Sequence, residues 1–118
     1  MEELKPLLSN LISVDGITAA VVIGRDGFVI ESVTNSSLDT DAIAGIISGG
    51  VRNTDEMGKD LGIGTLSQSM IEYEGGMILT RVINDNGAIL TVVATDKALI
   101  GNVRYQLNKF ADQIAKSL

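Results

Sequence analysis

The chain has 118 residues, enough for one domain that buries roughly two-thirds of its unfolded surface. Its formal charge is −6, from 15 acidic and 9 basic residues, and aromatics are only 3%. That balance argues against nucleic-acid binding, which needs a basic field and stacking platforms. Cys and His are absent, which removes thiol nucleophiles, imidazole bases and nearly all zinc chemistry.

Apolar residues make up 45% of the chain, so the core must be Ile, Val, Leu and Ala packed in aliphatic layers. The opening residues are acidic and lack a signal-peptide pattern. The longest apolar run, from Ile17 to Gly24, is far short of the ~20 residues that span a bilayer. No membrane insertion and a cytoplasmic location are therefore expected, and the lack of Cys fits a reducing compartment.

Residues 2–14 read as a first helix, with Leu4, Leu7, Leu8, Leu11 and Ile12 recurring at three and four and Pro6 in the first turn. Asp15-Gly16 breaks it. Ile17 to Ile23 is β-branched and apolar on both faces, the pattern of a central strand. Gly24-Arg25-Asp26-Gly27 is a hairpin turn, and Phe28 to Val33 is the returning strand. Thr34-Asn35-Ser36-Ser37 is a polar loop, its glycosylation sequon notwithstanding.

A long helix follows over Leu38–Leu61, capped by Ser37 or Asp39, with Asp39 and Asp41 at its positive end. Ile43, Ile46, Ile47, Val51, Met57 and Leu61 share one broad arc, completed by Gly50, Thr54 and Gly58. That arc is expected on a sheet. Ala42, Gly45 and Gly49 line the opposite side, followed by Arg52, Asn53 and Glu56. Each glycine costs a helix roughly 1 kcal/mol against alanine. Close approach of another backbone would offset that cost. Alternatively the small-xxx-small match is chance, or glycine accommodates a bulky neighbour in the same chain, because the pattern has its firm meaning only in membranes.

Gly62-Ile63-Gly64 ends the helix. Thr65 to Tyr73 alternates poorly and reads as an edge strand. Glu74-Gly75-Gly76 turns into a fourth strand, Met77 to Ile83. Asn84-Asp85-Asn86-Gly87 is a second hairpin signal, and Ala88 to Thr95 a fifth strand of central type. Asp96 is expected to cap a last helix whose stripe is Leu99, Ile100, Val103, Leu107, Phe110, Ile114 and Leu118. The order α-β-β-α-β-β-β-α, with tight turns between paired strands, gives an α+β layered domain spanning residues 1–118.

These residues resemble the Roadblock family, the dynein-light-chain-like proteins that also regulate small GTPases in bacteria and archaea. Leu11-Ile12-Ser13-Val14-Asp15-Gly16-Ile17 and then Ala19 to Ile23 match its opening helix, small turn and first strand. Asp26-Gly27-Phe28-Val29-Ile30 matches its Asp-Gly hairpin. The Ala- and Gly-rich central helix, Ile89 to Ala94, and Leu99 to Arg104 continue the likeness from about residue 4 to 117. The resemblance implies a five-stranded antiparallel, profilin-like sheet with the central helix on one face and the terminal helices on the other. It also implies a homodimer in which central helices pack together and third strands pair edge to edge. The corresponding interface residues are Ala42, Gly45, Ile46 and Gly49 on the helix and Ser67, Ser69 and Ile71 on the strand. Family members are adaptors or regulators of Ras-like GTPases without an active site. Arg52, Asn53 and Glu56 are then the expected partner-binding residues. With no long extension of the kind some members carry within these 118 residues, a recruitment function housed in one is not expected of them.

No catalytic, cofactor or metal site is expected. Lys59 and Lys97 lack the glycine pattern of a phosphate-binding loop, and Gly62-x-Gly64 precedes a strand rather than a helix. Asp39-Thr40-Asp41 reads as capping and Asp55-Glu56 as a solvated helix face. Arg52 is conceivable as an arginine finger acting in trans, but reads first as an interface or salt-bridge residue. Three functions remain in view: a non-enzymatic dimeric regulator or scaffold of a Ras-like small GTPase, with stimulated GTP hydrolysis as one mode of regulation; an adaptor or cargo-linking subunit; and a small-molecule or peptide sensor on a profilin-like scaffold. Fold alone does not choose between them.

Overall fold

The computed structural model describes residues 4–83 and 87–118. Its elements are α1 (Leu4–Ile12), β1 (Ile17–Ile23), β2 (Val29–Thr34), α2 (Thr40–Asp60), β3 (Gln68–Tyr73), β4 (Gly76–Val82), β5 (Ile89–Thr95) and α3 (Ile100–Ala115). The five strands form one sheet in the order β2-β1-β5-β4-β3, every neighbour antiparallel. The element order and class are those expected from the sequence. Residues 2 and 3 of the expected first helix and Asn84-Asp85-Asn86 of the second turn lie outside the described residues.

β5 and β1 occupy the interior of the sheet because they are apolar on both sides. Alternation divides their side chains between two cores. Ala20, Val22, Leu90, Val92 and Leu79 face α1 and α3, which bring Leu4, Leu8, Leu11, Val103, Leu107 and Ile114. Val21, Ile23 and Ile89 face α2 in a smaller cluster with Ala44. The terminal helices therefore share one face and α2 holds the other, resting on β1 and β2. No helix among the described residues is long and apolar enough to cross a membrane.

The turn Gly24–Gly27 closes as expected. The Gly24 N–H donates to Phe28 O at 2.8 Å, and Asp26 Oδ1 accepts the Phe28 N–H at 3.1 Å. Gly27 has φ +88°, and a Cβ there would lie 2.9 Å from Ser48 Oγ. Glycine thus serves both the turn and the close seating of α2. At the other end of α2 the Ile63 N–H donates to Gly58 O at 2.9 Å and the Gly62 N–H to Lys59 O at 3.1 Å. With Gly62 at φ +73° this is a Schellman stop.

Three expectations are corrected. Asp96 does not cap the last helix: α3 starts at Ile100, its N-cap is Leu99, and no side chain accepts there. A turn intervenes, with the Ala98 N–H donating to Thr95 O. Consequently Leu99 is 76% exposed rather than part of the core stripe, and Leu118 lies beyond the helix and is exposed too. Finally, α2 is turned about a quarter revolution from the expected setting, at 3.6 residues per turn. Ala44 and Ser48 are its buried residues, with Ile47 and Val51 packed beside them. Ile46, Met57 and Leu61 are 76%, 56% and 68% exposed. Small side chains let the helix sit close over the β1–β2 turn, and the large apolar ones are left outside.

Candidate interface

Asp39 sets the register of α2, its Oδ1 accepting the Ala42 N–H at 3.2 Å. Counting from that cap, Ala42, Gly45, Ile46, Asn53 and Glu56 all face solvent, and Gly49 is half-buried. Ile46, Gly49 or Gly50, Asn53 and Met57 recur at three and four, one continuous outward stripe. A Cβ added to Gly45, Gly49 or Gly50 would meet nothing within 4 Å. No bulky neighbour among the described residues of this chain therefore requires those glycines.

The second exposed feature is the β3 edge, which pairs only with β4 among the described strands. Register places Ser69 in a row with Thr80, Thr91 and Val21, and Ile71 in a row with Ile78, Val93 and Ala19. Cross-strand partners share a face, so both rows lie on the α2 side. Thr80 and Thr91 are buried there, their hydroxyls 3.4 Å apart. Ile71 and Tyr73 are exposed. Ser67 precedes β3 rather than lying within it. Its O accepts the Val82 N–H, and its Oγ accepts from Arg81 at 2.6 Å. Of the seven expected interface residues, then, four stand on the outward side of α2 and three along one edge, with Ser69 and Ile71 on the same side of the sheet as α2.

Asp55 departs from its expected role. Glu56 is solvated, but the Asp55 carboxylate accepts the Leu66 N–H at 2.7 Å and pairs with Lys59 at 3.0 Å. The Leu66 N–H, followed by Lys59, holds its pKa below the ordinary carboxylate range. This contact clasps the segment leading into β3 onto the last turns of α2.

Arg52 stands at the junction of two hollows. One, of about 600 Å³, lies between the β1–β2 turn and α2 and is lined by Phe28, Asp41, Gly45 and Arg52. The other, of about 690 Å³, runs from Arg52 past Asp55 and Leu66 to Arg81 and Ile83. Phe28, 73% exposed, is the feature that sequence reasoning misses here. The pattern puts it in the returning strand, whereas it precedes β2. Its signal is its place directly after an Asp-Gly turn.

The Roadblock/LC7 domain family model matches residues 3–94. MJ0310 of Methanocaldococcus jannaschii is 32% identical over 108 residues, 92% of this chain and 93% of that protein. The gliding protein MglB of Thermus thermophilus superposes with a TM-score of 0.90 at 20% identity, over 98% of this chain and 87% of that one. A Roadblock/LC7 domain from Streptomyces avermitilis gives 0.88 at 22% identity, over 97% and 96%.

Proposed function

The chain belongs to the Roadblock/LC7 domain family, and from that premise we propose that it is a non-enzymatic, cytoplasmic, homodimeric regulator or scaffold of a Ras-like small GTPase. The observation that carries the reading is the pair of glycines on α2 that nothing in the protomer requires. Gly45 and Gly49 each cost the helix roughly 1 kcal/mol, and a side chain at either position would touch nothing in the protomer. A second copy of α2 packed across a two-fold axis gives those glycines their use, since it brings the two backbones close. The β3 edge, on the same side, pairs with its own copy and joins two sheets into one.

Across such an axis Arg52, Asn53 and Glu56 occur twice, on a continuous surface. One GTPase seated there breaks the symmetry, giving one per dimer. Two fit only where their footprints clear the axis. Where hydrolysis is accelerated, the action expected is repositioning of the partner's own switch residues rather than insertion of Arg52, with Arg52 as a contact and no cofactor required.

The test is light scattering of the protein alone and mixed with the GTP-loaded Ras-like GTPases of its source organism. A dimer that takes up one GTPase and speeds hydrolysis is expected, with Arg52→Ala losing binding and activation in parallel. A loss of ~10³–10⁵ in rate with binding intact would make Arg52 an arginine finger instead. A monomer at tens of micromolar, or no complex with any such GTPase, would overturn the reading.

A further inference from the structure

Four of the nine basic residues of this acidic chain, Arg25, Arg52, Lys59 and Arg81, line a single groove. One carboxylate, Asp55, joins them among the described residues, and it is already engaged by Lys59 and the Leu66 N–H. The three guanidiniums have no ion-pair partner among the described residues. Two of them are held in place. Arg81 donates to Ser67 Oγ at 2.6 Å. The stem of Arg25 lies over Gly87, where a Cβ would come 3.4 Å from Arg25 Cγ.

Between these charges lie two half-buried aliphatic side chains, Val51 and Leu66, with the hydroxyls of Ser48, Thr65 and Ser67 beside them. At about 690 Å³ the groove has the size of a small-ligand or short-peptide site. Guanidinium forks at a rim suit carboxylates, which they bind bidentately. The aliphatic pair adds nothing for a bare anion but suits alternate side chains of an extended strand, whose backbone the neighbouring hydroxyls can meet.

We propose that the groove from Arg52 to Arg81 binds an extended acidic segment of a partner protein in which carboxylates alternate with aliphatic side chains. The groove begins at Arg52, exposed on the flank of α2 one turn from Glu56, so such a segment runs off the surface read above as the partner surface. The inference goes beyond the GTPase reading: any protein bearing this segment fits, and a peptide assay succeeds or fails whether or not a GTPase binds.

The experiment is fluorescence anisotropy with a labelled short peptide alternating glutamate and leucine, titrated with the full-length protein at low salt. Saturable binding is expected, weakened roughly tenfold or more in the Arg25→Glu, Arg81→Glu double variant and lost in 1 M salt, where the Debye length is about 3 Å. Arg25→Gln and Arg81→Gln singly should give intermediate losses and guard against misfolding of the double variant, as should unchanged thermal melts. Equal binding of a lysine–leucine peptide, or an unchanged affinity in all the variants, would overturn the proposal. So would equal binding of a glutamate–serine peptide or full competition by inorganic phosphate, either of which would reduce the groove to a simple anion site.

Discussion

Replacing Gly45 and Gly49 together by leucine tests the seam because the protomer and the dimer should respond in opposite directions. Neither new side chain meets an atom of its own protomer within 4 Å at Cβ. The helix gains intrinsic propensity, roughly 1 kcal/mol per site, since leucine ranks near alanine. The isolated protomer should therefore be no less stable, and up to about 2 kcal/mol more so. Between copies the change is adverse. Ordinary helix pairs sit 8–10 Å apart, and a glycine seam exists to go closer. In the proposed dimer, two leucines facing their mates would push the helices back and, by separating the sheets, strip the β3 edges of their pairing. A loss of at least about 1.4 kcal/mol, a tenfold weaker dissociation constant, is the minimum expected. Sedimentation equilibrium over a dilution series gives the constant, and chemical melts at low concentration give the protomer stability. An unchanged dissociation constant would place the seam elsewhere. A protomer destabilised by the change would show that the glycines serve its own packing.

Other consequences are narrower. Ile71→Lys on the β3 edge should leave protomer stability within ~1 kcal/mol, because the side chain is half-exposed, while weakening the dimer by light scattering. Gly27→Ala should cost at least ~1 kcal/mol in urea melts, since φ is +88° and the new methyl would press on Ser48 Oγ. Asp55 has a folded pKa below its unfolded value. Its contribution is therefore fully present above pH ~4, the ordinary aspartate range, and lost as pH falls through the lowered value. Protection of the Leu66 amide from exchange should fall in that window, and Asp55→Ala should abolish it at neutral pH.

Much of this architecture is legible because local and global signals agree. The Asp26-Gly27 turn, the two-sided apolar strands and the glycine after α2 each leave a single workable conformation. The setting of α2 is misread from sequence for a physical reason. A hydrophobic arc assumes that the largest apolar side chains seek the protomer's core, but Ser48 and Ala44 are the residues small enough to fit over the β1–β2 turn. The arc therefore places Ile46 and Met57 on the sheet although they project away from it. Asp96 looks like a cap because the turn at Thr95–Ala98, which delays α3 to Ile100, has no composition signal of its own. The cationic groove is invisible for another reason. Arg25, Arg52, Lys59 and Arg81 are scattered over half the chain and meet only through the antiparallel order of the sheet.

The Asp55 clasp links the end of α2 to the segment entering β3, beside the Schellman stop that already folds Ile63 back on Gly58. The helix and the edge strand are thus tied at one point, so a rotation of α2 about its axis should carry the start of β3 with it. Two copies meeting along their helices would find their edges already aligned, and copies meeting first by their edges would find their helices in phase. Assembly should then proceed in one step, with no long-lived species joined by helices alone. Releasing the clasp by Asp55→Ala should split that step into two, visible as a second concentration-dependent transition.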